Sequence, residues 1–110
     1  MTTAASTGPV LLQFDFPFRG PWGAALADAM KGLAADIAGE PGLIWKIWTE
    51  NEATARAGGI YLFADAASAQ RYLDKHTARL QGFGVTDIVA HSFAVNAGLT
   101  QQTRGPLHAG

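Results

Sequence analysis

The sequence predicts an α+β domain of element order β-α-β-β-α-β, the ferredoxin-like sandwich in which two helices cover one face of a four-stranded sheet. Three observations lead there. Runs of period-two alternation, rich in aromatic and β-branched residues, recur at Val10–Phe16, Leu43–Glu50, Ile60–Phe63 and Val85–Asn96. Stretches with apolar residues three and four apart separate the first run from the second and the third from the fourth. The second and third runs are joined by a short polar, glycine-ended link, which suits an antiparallel hairpin and is too short for a helical crossover.

Each element has its own warrant. In the first strand Val10, Leu12, Phe14 and Phe16 alternate with Leu11, Gln13 and Asp15, and Pro17 to Gly20 closes it. Pro21 suits the first position of a helix, where its missing N–H costs nothing. Trp22, Leu26, Met30, Leu33 and Ile37 then form one helical stripe. Gly39 is placed for a left-handed C-terminal cap, and Pro41 bars continuation. Asn51 to Arg56 is a polar connection, and Gly58-Gly59 leads into the third strand. Asp65 is a good N-cap for a second helix whose inward stripe is Ala69, Tyr72, Leu73, His76 and Leu80, ended by Gly82 and Gly84. The last strand carries Val89, His91, Phe93 and Val95 on one face and Ile88, Ala90, Ser92 and Ala94 on the other. Residues 10–102 are thus expected to form a single domain, with a flexible N-terminal tail over 1–9 and a C-terminal tail over 103–110.

Composition narrows the function classes. Among 110 residues only 15% are charged, and Lys+Arg 8 against Asp+Glu 9 leave a net charge of −1. That lacks the basic footprint of a nucleic-acid binder. No apolar run reaches the ~18 residues of a membrane span. The first residues, Met1 to Gly8, have neither the basic nor the apolar region of a secretion signal, so a cytoplasmic location is expected. With Cys 0, disulfides, thiolate nucleophiles and thiolate metal sites are excluded. The low charge has a visible source: the strands are apolar on both parities, so the sheet face that the helices do not reach is also apolar. A symmetric partner covering that face, a homodimer, is the expected remedy.

Four segments carry a family resemblance: Phe14-Asp-Phe-Pro-Phe-Arg-Gly-Pro-Trp-Gly, Glu40-Pro-Gly-Leu-Ile-Trp-Lys-Ile-Trp-Thr-Glu50, Gly58-Gly-Ile-Tyr-Leu-Phe63 and Tyr72-Leu-Asp-Lys-His-Thr-Ala-Arg-Leu80. Together they resemble the YdhR family, to which a monooxygenase activity is ascribed by analogy with cofactor-free oxygenases of polyketide tailoring. The likeness runs from about Val10 to Gln102. It implies the dimeric α/β-barrel arrangement, in which two ferredoxin-like sheets pack face to face. It brings no established set of catalytic residues.

Candidate chemistry therefore comes from residue types. Phe14, Phe16, Trp45, Trp48, Tyr61, Phe63 and Phe93 could line an apolar pocket for a flat aromatic ligand, or simply pack in the core or a dimer interface. Trp45 and Trp48, three apart on a strand, face opposite sides, so at most one looks into a given cavity. His76, on an apolar helix stripe, is a candidate general acid/base or anion-orienting donor, or else a core histidine. Tyr61 would position a ring beside it, and His91 is a second candidate. Lys46 interrupts an apolar face and could hold a phenolate, as could Arg79, three residues after His76; each could instead reach solvent or an ion-pair partner. No metal-ligand spacing and no nucleotide-binding glycine motif is present, so neither metal nor cofactor is expected.

The expected function is a cofactor-independent monooxygenase that oxidises a small electron-rich aromatic, such as a phenol or hydroquinone, with O2. An ionised phenol can itself reduce O2, so the protein need only remove a proton, hold the anion and exclude water. Two other functions fit the same pocket: a non-enzymatic module for small aromatic ligands, and an isomerase or lyase.

Overall fold

The computed structural model describes residues 8–108. The flexible tail expected over residues 1–9 lies outside them except for Gly8 and Pro9, as do the last two residues of the expected C-terminal tail. The elements are β1 (Val10–Pro17), α1 (Gly23–Ala29), α2 (Lys31–Ala38), β2 (Leu43–Asn51), β3 (Arg56–Phe63), α3 (Ala66–Gly82), β4 (Val89–Ala94) and α4 (Ala97–Gln102). The four strands make one antiparallel sheet in the order β2-β3-β1-β4. That order, with the helices crossing one face, is the ferredoxin-like arrangement.

Register explains the core. Val10, Leu12, Phe14 and Phe16 of β1 are buried on the helix side, beside Tyr61 and Phe63 of β3. From α3, Ala69, Tyr72, His76 and Leu80 close over them, four of the stripe positions expected from the sequence. The α3 N-cap is Asp65, whose carboxylate accepts the Ser68 N–H at 2.8 Å.

Three local readings are corrected. The first helical stripe is broken, because Met30 (φ −98°, ψ 8°) leaves the helical region and separates α1 from α2. Pro21 precedes the helix instead of starting it, in a cis bond to Gly20, and Trp22 is the N-cap. Gly39 is not left-handed (φ −93°); the positive φ falls on Gly42 (φ 85°), one residue before β2. After β4, Asn96 caps α4, and the Pro106 carbonyl accepts the Trp45 indole N–H at 3.0 Å.

Strand bounds shift for a steric reason. β3 starts at Arg56 and so includes both glycines of the expected link. A β-carbon on Gly58 would overlap the Phe14 carbonyl, and one on Gly59 would meet Lys46 Cε at 2.7 Å. Their absence lets β1 and the Lys46 stem lie close against β3. β4 starts four residues later than expected, because Val85 donates its N–H to Leu80 at the end of α3 and Asp87 takes a positive φ of 54°.

The other sheet face carries Leu11, Gln13 and Asp15 of β1, Trp45, Ile47 and Thr49 of β2, Ile60 and Leu62 of β3, and Val89, His91 and Phe93 of β4. Leu62 is buried between its register partners Leu11 and Trp45, whereas Ile47, Val89 and Phe93 are exposed. Among the described residues no helix is long and apolar enough to cross a membrane.

Candidate functional site

A cavity of about 310 Å³ opens on the helix side of the sheet. That is roughly twice the ~150 Å³ that admits benzene in an engineered apolar core. Its floor is Tyr61, Ala57 and Gly58 of β3 with Phe16 of β1, and one wall is Lys46 and Trp48 of β2. Leu26 and Met30 come from α1 and its broken end, Leu33 from α2, and His76 and Leu80 from α3. Phe18, Phe83 and Val85 complete it. The break at Met30 thus places α1 beside the cavity, although α1 itself buries no residue.

Lys46 reaches the wall because of an irregularity in β2. The pairing slips between Leu43 and Trp45, so Leu43, Lys46 and Trp48 share the helix side, while Trp45 and Ile47 share the other. Such a bulge reverses which side chains face the core. The Lys46 ammonium nitrogen lies 3.3 Å from the centre of the Trp48 ring and 4.7 Å from that of Tyr61. Among the described residues Lys31 pairs with Asp28 and Lys75 with Glu40, but Lys46 has no carboxylate within ion-pair distance. Burial, and secondarily the Arg79 charge, lower its pKa to about 7.

His76 is buried among Tyr72, stacked on it at 4.9 Å, and Phe14, edge-on at 5.1 Å. Its Nδ1 accepts the Arg79 Nε–H at 3.2 Å, so the ring proton sits on Nε2. Arg79 is held in turn by Asp36, 2.9 Å away. Burial first, then the charges of Lys46, Arg79 and Lys75, lower the His76 pKa to about 3. The imidazole is therefore neutral at ordinary pH. Among the described residues every sealed side-chain N or O has a hydrogen-bond partner, and the His76 bonds all run through Nδ1. Its Nε2–H is thus left open on the cavity side.

Tyr61 and Tyr72 close the buried end. The Tyr72 hydroxyl donates to that of Tyr61 at 3.2 Å. Burial, with Tyr72 beside it, pushes the Tyr61 phenol well above its usual range, and burial pushes Tyr72 up to about 12. Both are neutral hydrogen-bonding groups and neither is a base at ordinary pH.

The structure brings together five of the residues singled out in the sequence: His76, Tyr61, Lys46, Trp48 and Phe16. The other six stand elsewhere. Phe63 is fully buried in the core against Tyr61 and Tyr72. Phe14 lies beneath the site, 1% exposed, packed edge-on against Tyr61 and His76. Arg79 is not among the cavity's lining residues; bonded to Asp36 and His76, it orients the histidine. Trp45, His91 and Phe93 are on the opposite sheet face, and the sheet itself separates them from the cavity. Conversely, Phe18, Leu26, Met30 and Phe83 line the cavity without having been singled out. Met30 and Leu26 were visible only as part of a stripe that reads as core, because a helix break leaves no strong composition signal.

Among the described residues no three His, Cys, Asp or Glu side chains converge as metal ligands would. The cavity edge instead offers one uncompensated amine and one imidazole N–H within apolar walls. Such a site can accept an aromatic ring bearing a single anionic or acidic oxygen. The family model described as "Putative mono-oxygenase ydhR" matches residues 11–106. No curated protein matches the chain.

Proposed function

The chain belongs to the YdhR family, whose model spans nearly all of its strands and helices; on that premise we propose that it oxidises a small electron-rich phenol or hydroquinone with O2, without an added cofactor. The observation that carries this reading is the cavity edge, where Lys46 and the His76 Nε2–H meet apolar walls with no carboxylate paired to the amine. A phenol entering ring-first would rest against Trp48, Phe16 and Tyr61, with its hydroxyl toward Lys46.

The geometry favours Lys46 over His76 as the base. His76 Nδ1 is engaged by Arg79, and its low pKa makes it a poor proton acceptor. Lys46, with a pKa near 7, can take the phenol proton and then hold the resulting phenolate as an ammonium. The His76 Nε2–H donates to the same oxygen and spreads its charge. The phenolate supplies electrons to O2, a ring carbon–oxygen bond forms, the O–O bond breaks and water leaves, giving a quinone. The apolar walls exclude bulk water while the anion exists.

The open sheet face supports the homodimer and its face-to-face barrel, because Ile47, Val89 and Phe93 are exposed together there. The direct test of the activity is oxygen uptake by metal-free protein with a panel of phenols and hydroquinones. Turnover of at least one member, reduced on the order of a hundredfold or more in Lys46→Met as expected for a lost acid–base group, supports the reading. Saturable quenching of Trp48 fluorescence without oxygen uptake would instead indicate a binding module, and product without oxygen uptake an isomerase or lyase.

A further inference from the structure

Lys46 differs from the other two lysines in a way that bears on covalent chemistry. The Lys31 amine is exposed and 3.5 Å from Asp28, and the Lys75 amine is bound to the buried Glu40 carboxylate. Both amines are paired with a carboxylate. Lys46 has aromatic rings in place of a carboxylate, and its stem crosses Gly59, where a β-carbon would obstruct it at 2.7 Å. It opens on a cavity that also contains a neutral imidazole N–H and is otherwise apolar. An amine becomes a nucleophile when it is desolvated and other cations act on it, as burial and the Arg79 charge act on Lys46.

We propose that Lys46 is an imine-forming amine and that the cavity takes aromatic aldehydes, binding them covalently. The amine nitrogen attacks the carbonyl carbon and a C–N bond forms. The carbonyl oxygen receives a proton, aided by the hydrogen bond from His76 Nε2–H. The C–O bond then breaks, nitrogen gives up its remaining proton, and one water leaves with the oxygen. No oxidant or reductant is consumed. The same pocket serves as in the oxygenase reading, but the step needs no O2 and stands or falls separately from it. The ring contact with Trp48 stabilises the ammonium, whereas burial and Arg79 favour the free amine; with a pKa near 7 both forms coexist at neutral pH.

The test is reductive trapping of the full chain with 4-hydroxybenzaldehyde and cyanoborohydride under nitrogen, followed by intact mass and peptide mapping. The expected result is one reduced adduct per chain, on Lys46, formed on the order of tenfold or more faster than on Lys31 or Lys75, whose amines are paired with carboxylates. Phenol, as a competitor for the cavity, slows trapping at Lys46 and leaves Lys31 unchanged. Lys46→Met loses the adduct while its circular dichroism stays native. If that variant unfolds, the wild-type lysine ratio and the phenol competition decide alone. Labelling of Lys31, Lys75 or the α-amino group as fast as Lys46 overturns the proposal, and so does Lys46 labelling that phenol or unfolding in urea leaves unchanged.

Discussion

Asp15 and Lys46 stand on opposite faces of one sheet, and each is a charge set among apolar neighbours. Asp15 is met by Arg56 through two hydrogen bonds, at 3.1 and 3.0 Å, and the pair sits half-exposed at a strand end. Lys46 is met by aromatic rings. The open face thus neutralises its charge and leaves its apolar side chains uncovered. The helix face covers most of its apolar side chains, Trp48 at the cavity edge excepted, and leaves the Lys46 charge unneutralised. An uncovered apolar surface calls for protein, because area removed from water is the dominant favourable term in association. An unneutralised amine in an apolar cavity calls for a small anion or electrophile, because that partner removes the cost of burying the charge alone. The proposals thus assign different partners to the two faces of one four-stranded sheet, and the alternation of side chains along each strand keeps those faces apart.

The largest test of that contrast is truncation on each face. Phe14→Ala, on the helix side, is expected to cost ~3–5 kcal/mol in urea unfolding, since Phe14 is 1% exposed and supports both Tyr61 and His76. Phe93→Ala, with Phe93 49% exposed, is expected to change monomer stability by less than about 0.5 kcal/mol. Equal costs for the two at low protein concentration would break the contrast.

A smaller effect comes from Lys46 itself. Its pKa is lowered from 10.5 to about 7, so between those values the unfolded chain binds more protons than the folded one. Stability should therefore rise with pH across that window, with a slope of at most ~1.4 kcal/mol per pH unit. Lys46→Met should flatten that slope and be more stable than wild type at pH 7. An unchanged slope would place the amine in water. His76 acts at lower pH with the same sign: its folded pKa of about 3 lies below 6.5, so stability falls as pH drops through that range.

The smallest change in chain stability should come from charging the open face, and it reads the partner directly. Ile47→Asp with Phe93→Asp is expected to leave the unfolding midpoint of the dilute chain nearly unchanged, both side chains being largely exposed. Light scattering should show wild type at twice the chain mass and the double variant at the chain mass. A monomeric wild type at micromolar concentration would leave the open face without the partner assigned to it.

Strand and helix order was legible in the sequence because each element repeats a period of two or 3.6 residues, and burying one face of a strand or helix enforces that period. Asp65 could be read as a cap, and the tryptophans as opposed, for the same local reasons. The site was legible only in part. His76 and Tyr61 lie on inward stripes, and an inward stripe reveals burial but not whether a cavity lies beside it. Trp45, His91 and Phe93 looked equally suitable because residue type does not reveal which face of the sheet a strand's phase selects.

The sequence by itself determined the element order, the two-sided apolar strands and the lack of cysteine, all properties of single segments or of composition. Only the tertiary structure decided which polar groups are free. The β2 bulge turned Lys46 to the helix side, the break at Met30 brought α1 beside the cavity, and Arg79 bound Asp36 and took up one nitrogen of His76. The register of β2 on β3 and the Arg79–Asp36 pair depend on contacts between residues far apart in the chain, and the short-range Arg79–His76 bond matters only where α3 packs beside the cavity. A hydrogen bond or an unpaired charge belongs to such a meeting and is encoded in neither segment alone.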